Sequence, residues 1–476
     1  MRLTNITLQN FKCFGQKQSI DLGRLTILTG ANSSGKSSLM YGILGAIQSG
    51  EFPLQFSTNG KYVNMGDFRD ISFQRKPKRE ITLAFTFENV KQSQLDNFQV
   101  ETVWVEDTRN RLPRLFEIVM KSDFFDIVLR KKQKKYSLDF TYKPEKHPFY
   151  NQMGAAQFKK ITEAIFSSIP NIAEAVEAIQ PNKKNSPSNF NSEKIVGQIL
   201  KVFATPLAIQ QLEVPSLDII RELKLSSHEA ASAWIQSSTR DIVNSFNAFD
   251  QTINFIGSSR LHPERTYLEV TKNDLKVEKF GENYLDQIIA WETKNTPQFK
   301  KLMNLMLELG LLTGIKSNRM DGGRFEVAVQ SKKGGVFTSL ADVGFGISQF
   351  LPILVADLQL PNDSTLFVAQ PEIHLHPDIQ SRFGEFLIKQ VRDTEKNYVI
   401  ETHSEYCLNR LRLGIVKGEI AASDVKIYYL NDSHENPYDT TVHTIEFTKS
   451  GQILGAPPDF FTTYQMDVME IALHAE

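Results

Sequence analysis

The sequence predicts an α/β fold: a parallel sheet flanked by helices, carrying an antiparallel β subdomain and a helical insertion. Three observations lead there. An apolar strand, a glycine loop and a helix follow one another over residues 25–44. After residue 298 strands and helices alternate, the pattern of parallel strands joined by crossover helices. Before residue 146 short strands of alternating polarity dominate, as antiparallel sheets with one solvated face require.

Composition bounds the reading. The chain has 476 residues, with 54 Lys+Arg against 55 Asp+Glu and a formal net charge of -1. Its 41% hydrophobic content rules out wholesale disorder, which needs low hydrophobicity and large net charge. The charge balance rules out a strongly basic nucleic-acid scaffold but leaves local basic patches open. Cys13 and Cys407 are the only cysteines, too few for a disulfide framework or a four-thiolate zinc site, so a reducing compartment is expected. No uninterrupted apolar run approaches the ~18 residues of a membrane span. The N-terminus alternates like a strand and lacks the apolar core of a secretion signal. A cytoplasmic protein with no membrane partner is the expectation.

Three zones follow in order: 1–146, 147–295 and 296–476. In the first, strands are expected at 2–9, 25–29, 80–88, 99–105, 115–121 and 136–142, with one helix at 36–48. The basic turns 75–79 and 130–135 lie between strands and read as solvated turns before they read as phosphate contacts. The second zone reads as mainly helical: Phe158, Ile161, Ile165 and Ile169 keep helical spacing, as do Ala231, Trp234, Ile235, Ile242 and Phe246. Residues 181–192 form a polar Pro/Asn/Ser-rich loop. In the third zone strands are expected at 364–368, 398–401 and 425–430, and helices at 350–358, 377–391 and 405–415.

Residues 30–37, Gly-Ala-Asn-Ser-Ser-Gly-Lys-Ser, fit the pattern G-x-x-x-x-G-K-[ST] between a strand and a helix. Glycines let the backbone wrap a phosphate, and the loop N–H groups point inward at a helix N-terminus. Asn32, Ser33, Gly35 and Ser38 are placed to contact it. Lys36 would reach the β- and γ-phosphates of ATP, and the Ser37 hydroxyl would ligate Mg²⁺.

The remaining candidates lie more than three hundred residues on. The small-residue turn around Gly344, Gly346 and Ser348 opens an apolar helix and can present N–H groups and a hydroxyl to phosphate. An apolar strand ends at Ala369, Gln370, Pro371 and Glu372, followed by His374 and His376. A second apolar strand ends in Glu401, Thr402 and His403. A zinc site on the three histidines is a weak alternative, because HxH with a distant histidine lacks the usual ligand spacing. Parallel strands deliver their C-terminal ends to one sheet edge, where ligands bind. There His403 would face the γ-phosphate or the attacking water.

These motifs together resemble the ABC-type ATPases of the RecF/SMC/OLD branch. Asn10-Phe11-Lys12-Cys13-Phe14 resembles the branch's N-F-K-x-F opening, whose basic residue, here Lys12, lies near the nucleotide. Residues 30–37 match Walker A, 342–349 resemble a degenerate signature turn, 366–372 Walker B, 374–377 the H-L-H-P that follows, and 402–404 the switch histidine. A narrower group fits better: bacterial ATPases of anti-phage defence loci with V-G-F-G-x-S-Q, E-Q-P-E-x-H-L-H-P and E-T-H-S-E motifs. Residues 256–260 with Pro263, Arg265 and Tyr267, and the tail 451–461, resemble further segments of that group, whereas 148–254 match none.

The resemblance implies an ABC-type P-loop ATPase head with Gln370, Glu372 and His403 as catalytic candidates. ATP and Mg²⁺ are the implied cofactors. The implied assembly is a homodimer or higher homo-oligomer with composite ATP sites, a separately encoded effector such as a nuclease or toxin, and a DNA or phage-protein trigger. A DNA repair or chromosome-maintenance ATPase binding DNA directly is the alternative. A nuclease in its own right fits less well, since Asp424, Asp432 and Asp439 are dispersed and form no Toprim-type cluster. One departure stands out. Ala369 occupies the position of the acid that holds Mg²⁺, and alanine can neither coordinate a cation nor polarise water. It reads either as a natural ATP-binding pseudo-enzyme or as an engineered substitution that traps nucleotide, and the intact remaining motifs favour the substitution. No Q-loop glutamine stands out in 62–68.

Overall fold

The computed structural model describes residues 2–88, 97–123, 125–132, 135–142, 207–212, 229–268, 276–433, 435–458 and 460. The expected helix around Phe158–Ile169 and the loop 181–192 lie outside these residues.

The strands run β1 (Arg2–Gln9), β2 (Gln18–Asp21), β3 (Leu25–Gly30), β4 (Ile81–Glu88), β5 (Phe98–Glu106), β6 (Pro113–Ser122), β7 (Phe125–Lys132), β8 (Lys135–Tyr142), β9 (Leu207–Leu212), β10 (Ile253–Ile256), β11 (Tyr267–Leu268), β12 (Gly314–Met320), β13 (Arg324–Gln330), β14 (Thr338–Ser339), β15 (Thr365–Ala369), β16 (Asn397–Glu401), β17 (Val425–Asp432), β18 (Thr440–Phe447) and β19 (Ile453–Leu454). The first sheet has the order β2-β1-β4-β5-β6-β7-β8-β9 and its pairs are antiparallel. The second has the order β10-β15-β16-β3-β17-β18-β19. Its five strands from β10 to β17 are mutually parallel.

The parallel sheet is apolar on both faces, as helix-covered parallel strands must be. Every residue of β3, β15 and β16 is buried. Side chains alternate between two cores. Leu28, Phe367, Val399 and Tyr428 pack with the helix Lys36–Ile47, the helix Glu229–Gln251 and the antiparallel sheet. Ile27, Leu366, Val368 and Ile400 pack with the helices Phe345–Gln359, Pro377–Asp393 and Glu405–Val416 on the other face. The antiparallel subdomain therefore sits on one side of the sheet and the C-terminal helices on the other.

Local signals explain the element ends. Pro377 opens its helix at the first turn, where a missing N–H costs nothing, and His376 Nδ1 accepts from Asp378 N at 3.3 Å. Ser404 caps the next helix by accepting from Cys407 N at 3.1 Å. Gly30 has φ +133, and a Cβ there would lie 2.0 Å from the Leu430 carbonyl oxygen, so only glycine lets β17 pair this closely.

Two findings sharpen the expected layout. Ile253–Ile256, inside the zone read as a helical insertion, is the edge strand of the parallel sheet and pairs with β15. The helix Glu229–Gln251 leads into it and buries Ile242 and Phe246. Both described ends of the basic stretch 130–135 are strand: Arg130 lies on β7, paired to Glu117 at 2.5 Å, and Lys132 is in register with Lys135 of β8. Among the described residues, no helix is long and apolar enough to cross a membrane.

Candidate nucleotide site

β3 delivers Gly30 to the C-terminal edge of the sheet, and the loop returns as the helix Lys36–Ile47. Gly35 precedes that helix at φ +101, and a Cβ there would meet Cys13 Sγ at 2.3 Å. No acidic residue sits in the helix's own first turn, so the positive end of the helix is left open to an anion. The Lys36 ammonium donates to the carbonyls of Gly30 at 3.2 Å and Ala31 at 2.5 Å. Burial lowers its pKa, against the pull of Glu401 and Glu372.

A cleft of about 600 Å³ opens over this loop. Lys12, Asn32, Ser33, Gly35, Lys36, Ser37, Ser38, Gln370 and His403, all expected at the site, line it together. Lys12 has φ +51, its N–H donates to the Ile71 carbonyl at 2.7 Å, and burial lowers its ammonium pKa. Gln370 is held at φ +48, a conformation costly for a residue with a side chain. Its N–H donates to the Glu401 carbonyl at 2.7 Å and its carbonyl accepts from Arg260 at 2.7 Å.

Arg260 is the anchor of this edge. It is buried, and its guanidinium also donates to the carbonyls of Gly257, Gln349 and Ala369, each at 2.9 Å. It therefore ties the end of β15 to the helix Phe345–Gln359 and to the segment after β10. Burial pulls its pKa down to about 10.

Glu372 lies behind the cleft wall. Its carboxylate accepts from Thr402 Oγ1 and from the His403 N–H, both at 2.7 Å. This fixes the backbone that carries His403 onto the cleft. Desolvation and then the Lys36 charge hold the His403 pKa below its ordinary value, with Glu372 opposing.

Gly344, Gly346 and Ser348 stand outside the cleft lining. Their turn is braced by Asp342, which accepts from Arg265 at 2.7 and 3.1 Å, and Gly346 backs onto the His374 carbonyl, where a Cβ would come to 2.4 Å. Ala369 is 7% exposed and does not border the main cleft. Among the described residues no group of three His, Cys, Asp or Glu side chains could hold a metal, so the zinc alternative has no site here.

The cleft also holds residues that sequence reasoning passed over. Gln74, at φ +56 in the turn after Phe73, lines it. Arg75 from the basic run lines the cleft too, while Arg79 of that run donates to Asn10 Oδ1 at 3.0 Å. Tyr438, 71% exposed, comes from the β17–β18 turn. Asp439 beside it is structural: it accepts from the N–H groups of Gly15 and Gln16 at 2.8 and 3.2 Å. Glu401 was legible as the end of an apolar strand, but only the fold shows it against Ser37, whose hydroxyl lies 2.9 Å from both carboxylate oxygens.

Residues 1–408 match the AAA ATPase domain family. The chain belongs to that family. Solved structures similar to this AAA ATPase include the SMC head domain from Thermotoga maritima, at 12% identity and TM-score 0.37, covering 94% of this chain and 100% of that one. The Smc head domain from Pyrococcus furiosus, with an extended coiled coil and bound to the C-terminal domain of ScpA, aligns at 11% identity and TM-score 0.41, covering 99% of both chains. No curated protein matches the AAA ATPase in sequence. Family membership implies nucleotide binding, and the glycine loop over residues 30–37 lies within the matched segment.

Proposed function

We propose that this AAA ATPase binds ATP with Mg²⁺ between copies of itself, and that the resulting assembly controls a separately encoded effector in anti-phage defence. The observation that carries the composite site is the position of Gly344, Gly346 and Ser348. Gly346 backs onto the His374 carbonyl just past the end of β15, and none of the three lines the cleft over the phosphate loop. A second copy would bring its own signature turn over ATP held by Lys36, Ser37 and the loop N–H groups. Binding energy that exists only in the closed assembly turns nucleotide into a conformational signal.

The chain's own groups have distinct parts in this reading. Loop N–H groups and Lys36 hold phosphate oxygens; Ser37 offers its hydroxyl to Mg²⁺, which would neutralise phosphate charge. Gln370 and His403 face the γ-phosphate and attacking water. Glu372 is a positioning residue that holds the His403 backbone. Tyr438 is an exposed ring on which a base can stack. The defence role rests on the sequence resemblance to bacterial defence ATPases.

Size measurement by light scattering, with and without saturating ATP and Mg²⁺, tests the assembly. A nucleotide-dependent shift to a dimer or larger species is expected, and a monomer with saturating ATP refutes it. Co-elution of a neighbouring gene product under the same conditions tests the effector. Salt-sensitive DNA binding without any partner would favour the repair reading instead.

A further inference from the structure

Beside the alanine that replaces the expected acid stands another carboxylate. Glu401 ends β16, and the parallel register places it next to Ala369 on one side and next to Leu28, two residues before the phosphate loop, on the other. Paired residues of neighbouring strands project to the same face. Glu401 therefore points to the side where an acid at 369 would point.

Three observations bear on what it does there. First, the Ser37 hydroxyl lies 2.9 Å from both Glu401 oxygens, so the carboxylate is centred on the side chain expected to touch Mg²⁺. Second, Glu401 is 3% exposed, and among the described residues the hydrogen bonds to its carboxylate come from that one neutral hydroxyl. A buried carboxylate needs stronger charge compensation than a hydroxyl gives. Lys36 contributes at longer range, but its ammonium is bonded to loop carbonyls. Third, Glu401 and Ser37 border both the nucleotide cleft and a second cavity of about 140 Å³. Ala369 and Ser258 line that cavity, so the methyl group of Ala369 leaves polar room for water. Lys279 on its wall has its ammonium 5.0 Å from the Phe280 ring centroid.

We propose that Glu401, supplied by the strand between β15 and the phosphate loop, holds the divalent cation of the nucleotide complex together with Ser37, in place of an acid at 369. The inference rests on the nucleotide reading of the cleft. Mg²⁺ takes about six oxygens and is usually held by one or two carboxylates plus phosphates, keeping several waters. Here the set is the Glu401 carboxylate, the Ser37 hydroxyl and phosphate oxygens, with waters in a cavity whose volume fits a few at ~30 Å³ each. Neither a pseudo-enzyme without a cation nor a site emptied by substitution is needed to explain Ala369.

The test measures the affinity of the full chain for a fluorescent ATP analogue in EDTA and in Mg²⁺, and reads the ratio. The parent is expected to bind at least about tenfold tighter with Mg²⁺, and Glu401→Gln to bring the ratio close to one, since even shell residues behind metal ligands carry about 10–100-fold. Glu401→Gln with Ala369→Asp should restore the ratio. An unchanged ratio in Glu401→Gln overturns the proposal. A second measurement needs no variant: Mn²⁺ bound with the analogue to the parent, labelled with ¹³C-glutamate, should show carboxylate hyperfine coupling, and its absence overturns the proposal. Parent binding that ignores Mg²⁺ overturns this inference alone, whereas no binding under either condition overturns the nucleotide site as well.

Discussion

Replacing Arg260 by methionine keeps the aliphatic stem and removes a buried cation that donates to four main-chain carbonyls. Hydrogen bonds from a charged donor are worth ~1.5–3 kcal/mol each, a gross gain of roughly 6–12 kcal/mol. Desolvating the guanidinium offsets much of it, as its lowered pKa of about 10 records. Removing one partner of a buried charged network usually costs ~3–5 kcal/mol, and we expect Arg260→Met to fall there. Against a total stability of ~5–15 kcal/mol that is a large loss. Urea unfolding followed by the fluorescence of the chain's three tryptophans measures it. Arg260→Lys should recover only part, because one ammonium cannot span the end of β15, Gln349 and Gly257 at once. A loss below about 1 kcal/mol for Arg260→Met would show that this sheet edge holds itself together without the guanidinium, and would refute the anchoring argument.

Other outcomes follow from the same geometry. Gly30→Ala puts a Cβ against the Leu430 backbone at a positive φ, so it should lower stability by more than the ~1 kcal/mol of an ordinary glycine replacement and abolish nucleotide binding; denaturation and fluorescent-nucleotide titration check both. Glu372→Ala leaves the Thr402 hydroxyl and the His403 N–H without their acceptor, so it should cost ~1–3 kcal/mol and reduce ATP turnover more than ATP affinity, read by steady-state kinetics beside binding. Asp357, buried and accepting from Tyr398 at 2.7 Å and Lys396 at 3.3 Å, has its pKa raised by burial. A raised folded-state pKa contributes stability at acidic pH that is lost as pH rises through it. From about pH 4 to about pH 7 the stability difference should therefore shift in favour of Asp357→Asn, and urea midpoints across that range would show the opposite slope if the argument fails.

Much of this was legible before any coordinates. The phosphate loop is contiguous, so eight residues between a strand and a helix are enough to read it, and β3, β15, β16 and β17 each announce themselves as short apolar runs. The strand Phe125–Lys132 was not seen, because its basic end reads as a turn and only pairing to β6 and β8 makes it a strand. Gln74 escaped because nothing local marks a glutamine in an irregular turn, and Tyr438 because it lies about four hundred residues from the loop whose cleft it borders.

The sequence by itself determined the phosphate chemistry and the α/β class, since both depend on backbone groups and periodicities a few residues long. Strand order was decided by the tertiary structure. Nothing within Asn397–Glu401 specifies that it inserts between β15 and β3, because hydrogen-bonded neighbours in a parallel sheet are set by packing across hundreds of residues. That insertion places Glu401 between Ala369 and the strand that leads into the phosphate loop, a carboxylate one strand away from the alanine where an acid was expected.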